Sequence, residues 1–141
     1  MIKRCLMLLG IIVLSACTLT DNYNAQAHEQ FIALEKAYMH FLADAATTPL
    51  NEIDIARDDR ELRQRFSEAI ELANHVNDSL RVENLTLLEA GYFRIHARLM
   101  EQNRAFSPVQ LRLYQKQAQQ AYQLAIAGEC LRAYSNCHAE R

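Results

Sequence analysis

Phe106-Ser107-Pro108-Val109-Gln110-Leu111 is a complete helix start in six residues, and its reading sets the fold. Ser107 offers a side-chain oxygen to the first free backbone N–H groups of a helix. Pro108 suits the first helical position, where its missing N–H would have had no partner. Gln110 stands three residues after Ser107, as a capping box requires, and Phe106 and Leu111 stand where a hydrophobic staple would clasp. Behind this start, Leu111, Tyr114, Ala118, Ala121 and Ala125 recur at spacings of three and four. That is the period of a helix with one buried face.

The chain upstream repeats the same grammar. Only three Gly and two Pro occur in 141 residues, and no alternating β-branched run marks a strand. Residues 23–46 carry Ala27, Phe31, Leu34, Tyr38, Phe41, Leu42 and Ala45 on one stripe. Thr47-Thr48-Pro49 ends that helix, with Thr48 as cap and Pro49 as first residue of the next. The second helix has a pattern break at Arg57-Asp58-Asp59-Arg60. Asp58 and Glu61 make a capping-box pair there, which predicts a short helix before the main one. The main segment carries Leu62, Phe66, Ala69, Ile70, Ala73 and Val76. Asn77-Asp78-Ser79 turns the chain into a third helix with Leu85, Leu88, Tyr92, Ile95 and Leu99. Short connections between long amphipathic helices make antiparallel neighbours. The expected fold is an all-α, antiparallel up-down bundle of about four main helices.

The first residues carry a different message. Lys3 and Arg4 precede an apolar run from Leu6 to Val13, which closes on Leu14-Ser15-Ala16-Cys17. A membrane-spanning helix needs roughly 20 apolar residues, so this run has the length of a signal-peptide core instead. Leu14-Ser15-Ala16-Cys17 resembles the lipobox of bacterial lipoproteins. The resemblance implies cleavage before Cys17 and acyl chains on Cys17. It divides the chain into a signal peptide (1–16), a lipidated tether (17–22) and a helical domain (23–141). Several acyl chains hold firmly where one is marginal, at about 0.8 kcal/mol per buried methylene. Thr18 is not the aspartate that signals inner-membrane retention in enteric lipoproteins, so the resemblance implies the periplasmic face of the outer membrane. The stretch from Thr18 to Asn22 reaches at most about 17 Å when extended. The domain, and any protein partner it has, would then lie close to that membrane.

Removing Lys3 and Arg4 with the signal leaves 13 basic side chains against 17 acidic ones, a net charge of −4. The basic residues are scattered, and no basic stripe suits nucleic acid. Cys5 falls in the signal and Cys17 takes the lipid, which leaves Cys130 and Cys137 as an even pair in an oxidising compartment. A disulfide is the expectation. Seven residues of unbroken helix span about 10.5 Å, whereas bridged Cα atoms lie within roughly 7 Å. The last helix must therefore end between the two cysteines, and Tyr134-Ser135-Asn136 is the expected place. Closing that loop contributes about 2–3 kcal/mol.

Chemistry-bearing motifs are few. His40 and Asp44 stand four apart, as do Glu71 and His75, and each pair would offer two metal ligands from one helix face. Neither has the two-ligand-plus-base pattern of a metallopeptidase helix, so both read as solvated pairs. Glycine-flanked nucleophilic serines and phosphate-cradling glycine loops are absent. Cys130, Cys137 and His138 lie where four-helix c-type cytochromes attach haem, but the cysteine spacing is too wide for two thioethers to one porphyrin. The expectation is a non-enzyme without catalytic residues, metal or cofactor. In overall plan the chain resembles the small helical pilotins of secretion and pilus systems, which implies a partner segment held in a groove between helices. The alternative is an immunity or exclusion lipoprotein that blocks an incoming toxin or conjugation machine. Ala118, Ala121, Ala125 and Ala127 fill little volume, which predicts a groove beside the last helix. Tyr122 and Leu124, off the main stripe, are the candidate partner-binding residues unless they belong to a wide apolar core face.

Overall fold

The computed structural model describes residues 22–137. The expected signal peptide, Cys17 and the tether as far as Asp21 lie outside the described residues, as does His138. Four helices follow one another: α1 Ala25–Ala45, α2 Glu52–His75, α3 Ser79–Gln102 and α4 Pro108–Cys130. Among the described residues there is no strand, and the fold is the expected all-α bundle. No described helix is long and apolar enough to cross a membrane.

Local chemistry explains each boundary. The Asn24 side chain accepts from the Ala27 N–H at the start of α1, and Asp78 does the same for the Arg81 N–H at the start of α3. The Ser107–Gln110 capping box forms in both directions, with Pro108 at the head of α4. Asn103 closes α3 in the left-handed region at φ 48°, which asparagine tolerates better than most residues.

Three boundaries differ from expectation. Asn51, not Thr48, caps α2, because its side chain accepts from both the Ile53 and Asp54 N–H groups. The Thr48–Pro49 peptide is cis and belongs to the loop before that cap. The anticipated break at Arg57-Asp58-Asp59-Arg60 does not occur, and α2 runs through it. Ion pairs one turn apart (Arg57–Asp54, Arg63–Asp59 and Arg65–Glu61) support the helix there, and Asp58 is buried in its interior instead of capping. Finally, α4 stops at Cys130, earlier than Tyr134-Ser135-Asn136. The chain then turns through Tyr134 at φ 63° and brings Cys137 back to Cys130, with their Cα atoms 5.6 Å apart in the disulfide.

The core is a column of aromatic and aliphatic side chains. Phe31, Leu34, Phe41, Leu42, Leu62, Phe66, Leu85, Tyr92 and Leu99 are all buried. The Tyr92 ring meets Phe41 edge-on at 5.2 Å and Tyr38 edge-on at 5.9 Å. Phe106 closes one end: its N–H donates to the Ala45 carbonyl at 2.8 Å, and its ring lies edge-on to Tyr114 at 5.0 Å. The opposite end is closed by charge. Arg81 on α3 makes a two-pronged pair with Glu129 on α4, at 2.9 and 2.7 Å. Asp78 accepts from Arg132 at 2.6 Å and lies equally close to Arg81. Two cations and two anions, all at most 7% exposed, thus balance one another inside the protein.

The helices are unequally packed. α1 lies against α2 and α4, and α2 against α3, but α3 and α4 touch only sparsely. The bundle is closed on three seams and open on the fourth.

Candidate functional site

The open seam is a groove. Its main part, about 480 Å³, is walled by Leu88, Gly91 and Ile95 from α3 and by Tyr114, Gln117 and Ala121 from α4. Tyr38, Tyr92 and Tyr122 form the floor. A second stretch of about 300 Å³ continues past Leu87, Leu88 and Ala121 to Asn84, Leu124 and Ala125. The two stretches share three wall residues and run as one channel along the helices.

Small side chains leave this seam unfilled. Ala118, Ala121 and Ala125 line the α4 side, as the composition of that helix predicts. Gly91 thins the α3 side: a Cβ placed there would meet only an Arg94 guanidinium nitrogen, at 3.8 Å. The lip is apolar and open to solvent, with Leu87 66% and Leu124 76% exposed.

Both candidate partner-binding residues line the groove, in different ways. Leu124 stands on the exposed lip. Tyr122 does not point off the buried stripe as expected. It is 2% exposed, with its ring 6.1 Å from that of Tyr38, while Ala121 takes the exposed place. The buried face of α4 therefore runs through Ala118, Tyr122 and Glu129. The Tyr122 hydroxyl is buried without a hydrogen-bond partner.

The groove's electrostatics come from phenols and one cation. Burial, with Tyr38 and Glu35 nearby, drives the Tyr122 phenol well above its ordinary range. Burial and Tyr114 raise Tyr38 likewise, against a smaller opposing pull from Arg94. Both are neutral near pH 7, and each carries a hydroxyl that could donate to a ligand. With Arg94 and Gln117 in the wall, the main part of the groove has a mixed polar and apolar lining, and the stretch past Leu87 and Leu124 is mainly apolar. Among the described residues that line it there is no paired nucleophile and base.

The titratable pairs noted in the sequence lie elsewhere. His40 Nδ1 stands 3.6 Å from Asp44 and 3.4 Å from Asp58, which sequence reasoning had placed at a helix cap. Glu71 and His75 line a shallow polar hollow with Gln26, Gln30 and Glu68. The disulfide sits beside His28, whose Nε2 lies 3.9 Å from Cys130 Sγ and whose Nδ1 lies 3.9 Å from Cys137 Sγ, and the Tyr23 hydroxyl lies 2.7 Å from His28 Nδ1. The buried charge quartet escaped sequence reasoning altogether. Its only local trace is a carboxylate three residues before an arginine, twice: Asp78 before Arg81, and Glu129 before Arg132.

No protein-family model, characterised protein or solved structure matches the chain.

Proposed function

We propose that this chain is a lipid-anchored accessory protein that holds a segment of a membrane-associated protein partner in the α3–α4 groove, a pilotin-like role. The observation that carries the reading is the open seam itself. Three helix pairs close on one another, while the fourth leaves a channel of mixed lining with an exposed leucine lip and an unpaired buried hydroxyl. An amphipathic segment laid in such a channel recovers apolar burial along its length and gives the hydroxyl a partner. The lipobox resemblance at Leu14-Ser15-Ala16-Cys17 supports the anchor and the outer-membrane location. The groove's contents of tyrosines, alanines and leucines support binding and offer no reaction chemistry.

Photo-crosslinking in cells tests this. A photoreactive residue at Leu87 or Leu124 is expected to give one discrete adduct with a membrane-associated protein. The same residue at Ile53, 79% exposed on α2, is expected to give none. Equal adducts from all three positions, or none from the groove, would overturn the proposal.

A further inference from the structure

Away from the groove, where α1 meets α2, lies a cluster from two helices. His40 is exposed on α1 and Asp44 is half-buried beside it, and Asp58 meets them from the buried face of α2. We propose that His40 Nδ1, Asp44 and Asp58 form a binding site for a divalent transition-metal ion, with Zn²⁺ as the best fit.

Spacing is the first support. Donors bound at 2.0–2.2 Å around a tetrahedral zinc ion lie roughly 3.4 Å from one another. His40 Nδ1 stands 3.4 Å from Asp58 Oδ1 and 3.6 Å from Asp44 Oδ2. All three ligand atoms fall within 4.8 Å of one another. The second support is independent of spacing. Asp58 is 2% exposed, and its Oδ2 is buried with no hydrogen-bond partner. Leaving a carboxylate oxygen in that state is costly, and an ion chelated by both oxygens of Asp58 would give Oδ2 its partner.

Arg57 neutralises the two inner carboxylates in the ion-free protein. Its Nη2 lies 3.1 Å from Asp44 and 3.2 Å from Asp58, and its Nη1 donates to Asp54 at 2.8 Å. The Arg57 side chain is 51% exposed, so it can keep Asp54 and yield the inner carboxylates to an ion. It is a competitor and not a ligand. One imidazole nitrogen with two carboxylate oxygens suits zinc, whereas calcium and magnesium call for more, and oxygen-only, donors. The fourth position opens to solvent beside the exposed His40 ring. A bound ion would tie α1 to α2.

Titration calorimetry of the purified full-length chain with Zn²⁺ alone, after chelator treatment and at neutral pH, tests the site. One ion per chain is expected. Loss of a second-shell contact already weakens metal sites by about 10–100-fold, so His40→Ala should weaken binding at least ten-fold. His40 is exposed, and the variant is expected to keep its helical circular dichroism. His75→Ala should bind like the parent, and Arg57→Ala should bind more tightly. Failure to take up one ion, unchanged affinity in His40→Ala, or equal weakening by Arg57→Ala would each overturn the proposal.

Discussion

The Tyr122 ring packs against Tyr38 in the core while its hydroxyl lies buried under the groove without a partner. These two halves of one side chain respond to different substitutions. Tyr122→Ala removes the ring and leaves a cavity, which for an aromatic core residue costs about 3–5 kcal/mol. Tyr122→Phe removes only an unpaired polar group, whose burial carries a penalty of roughly 1–3 kcal/mol, so the melting temperature should hold or rise. If a partner in the groove accepts the hydroxyl's hydrogen bond, the phenylalanine variant should still bind several-fold more weakly. Thermal melts and partner capture on the same two variants check both halves. A phenylalanine variant that melts well below the parent would mean the hydroxyl has a protein partner after all.

The ends of α3 and α4 are held by the quartet of Asp78, Arg81, Glu129 and Arg132. Breaking a buried pair by removing one partner costs about 3–5 kcal/mol, because the remaining charge is stranded. Glu129→Ala should therefore lower the unfolding free energy by that amount in a denaturant titration. Glu71→Ala, on the exposed face of α2, should change it by no more than about 0.5 kcal/mol. Equal, small effects would remove the quartet from the list of structural supports. The elements differ in how far the sequence announced them. The start of α4 was legible because serine, proline and glutamine in that order have one physical use. The disulfide was legible because two cysteines remained and a helix cannot hold them at bonding distance. The α2 start was not, since Thr48-Pro49 imitates a cap, while Asn51 does the capping. The quartet was not, because Arg81 and Glu129 are 48 residues apart and only the fold brings them together. For the groove, the alanines of α4 gave one wall. On the α3 side Leu88 and Ile95 belong to the periodic stripe, but Leu87 and Gly91 lie outside it and nothing local marks those two. Choosing Ala121 over Tyr122 for the buried face placed the stripe one position off. Both choices keep the three-four spacing, and only packing against Tyr38 decides between them.

At the scale of the molecule, up-down topology gathers the start of α1, the α2–α3 turn and the end of α4 at one end of the bundle. The Tyr23 N–H donates to the Ala133 carbonyl at 2.9 Å, so the segment closed by the disulfide braces the point where the tether would leave. Leu131 and Tyr134, each 87% exposed, project at that same end. The proposed anchor at Cys17, on so short a tether, would turn this end toward the bilayer, with the α3–α4 groove running away from it. Confinement to a surface raises the effective concentration of a partner held there without any new contact. Anchor and groove should therefore fail separately. Cys17→Ser is expected to abolish incorporation of labelled palmitate and to leave the protein uncleaved or free of the membrane. The helical bundle should be unaffected, since every core residue of the described domain lies beyond the tether. Partner capture in cells should fall with the loss of the anchor, while the purified variant should bind the isolated partner as tightly as the parent. Persistent label or unchanged membrane fractionation in Cys17→Ser would remove the lipoprotein reading. A purified variant that binds its partner far more weakly would instead mean that the lipidated segment is itself part of the binding surface.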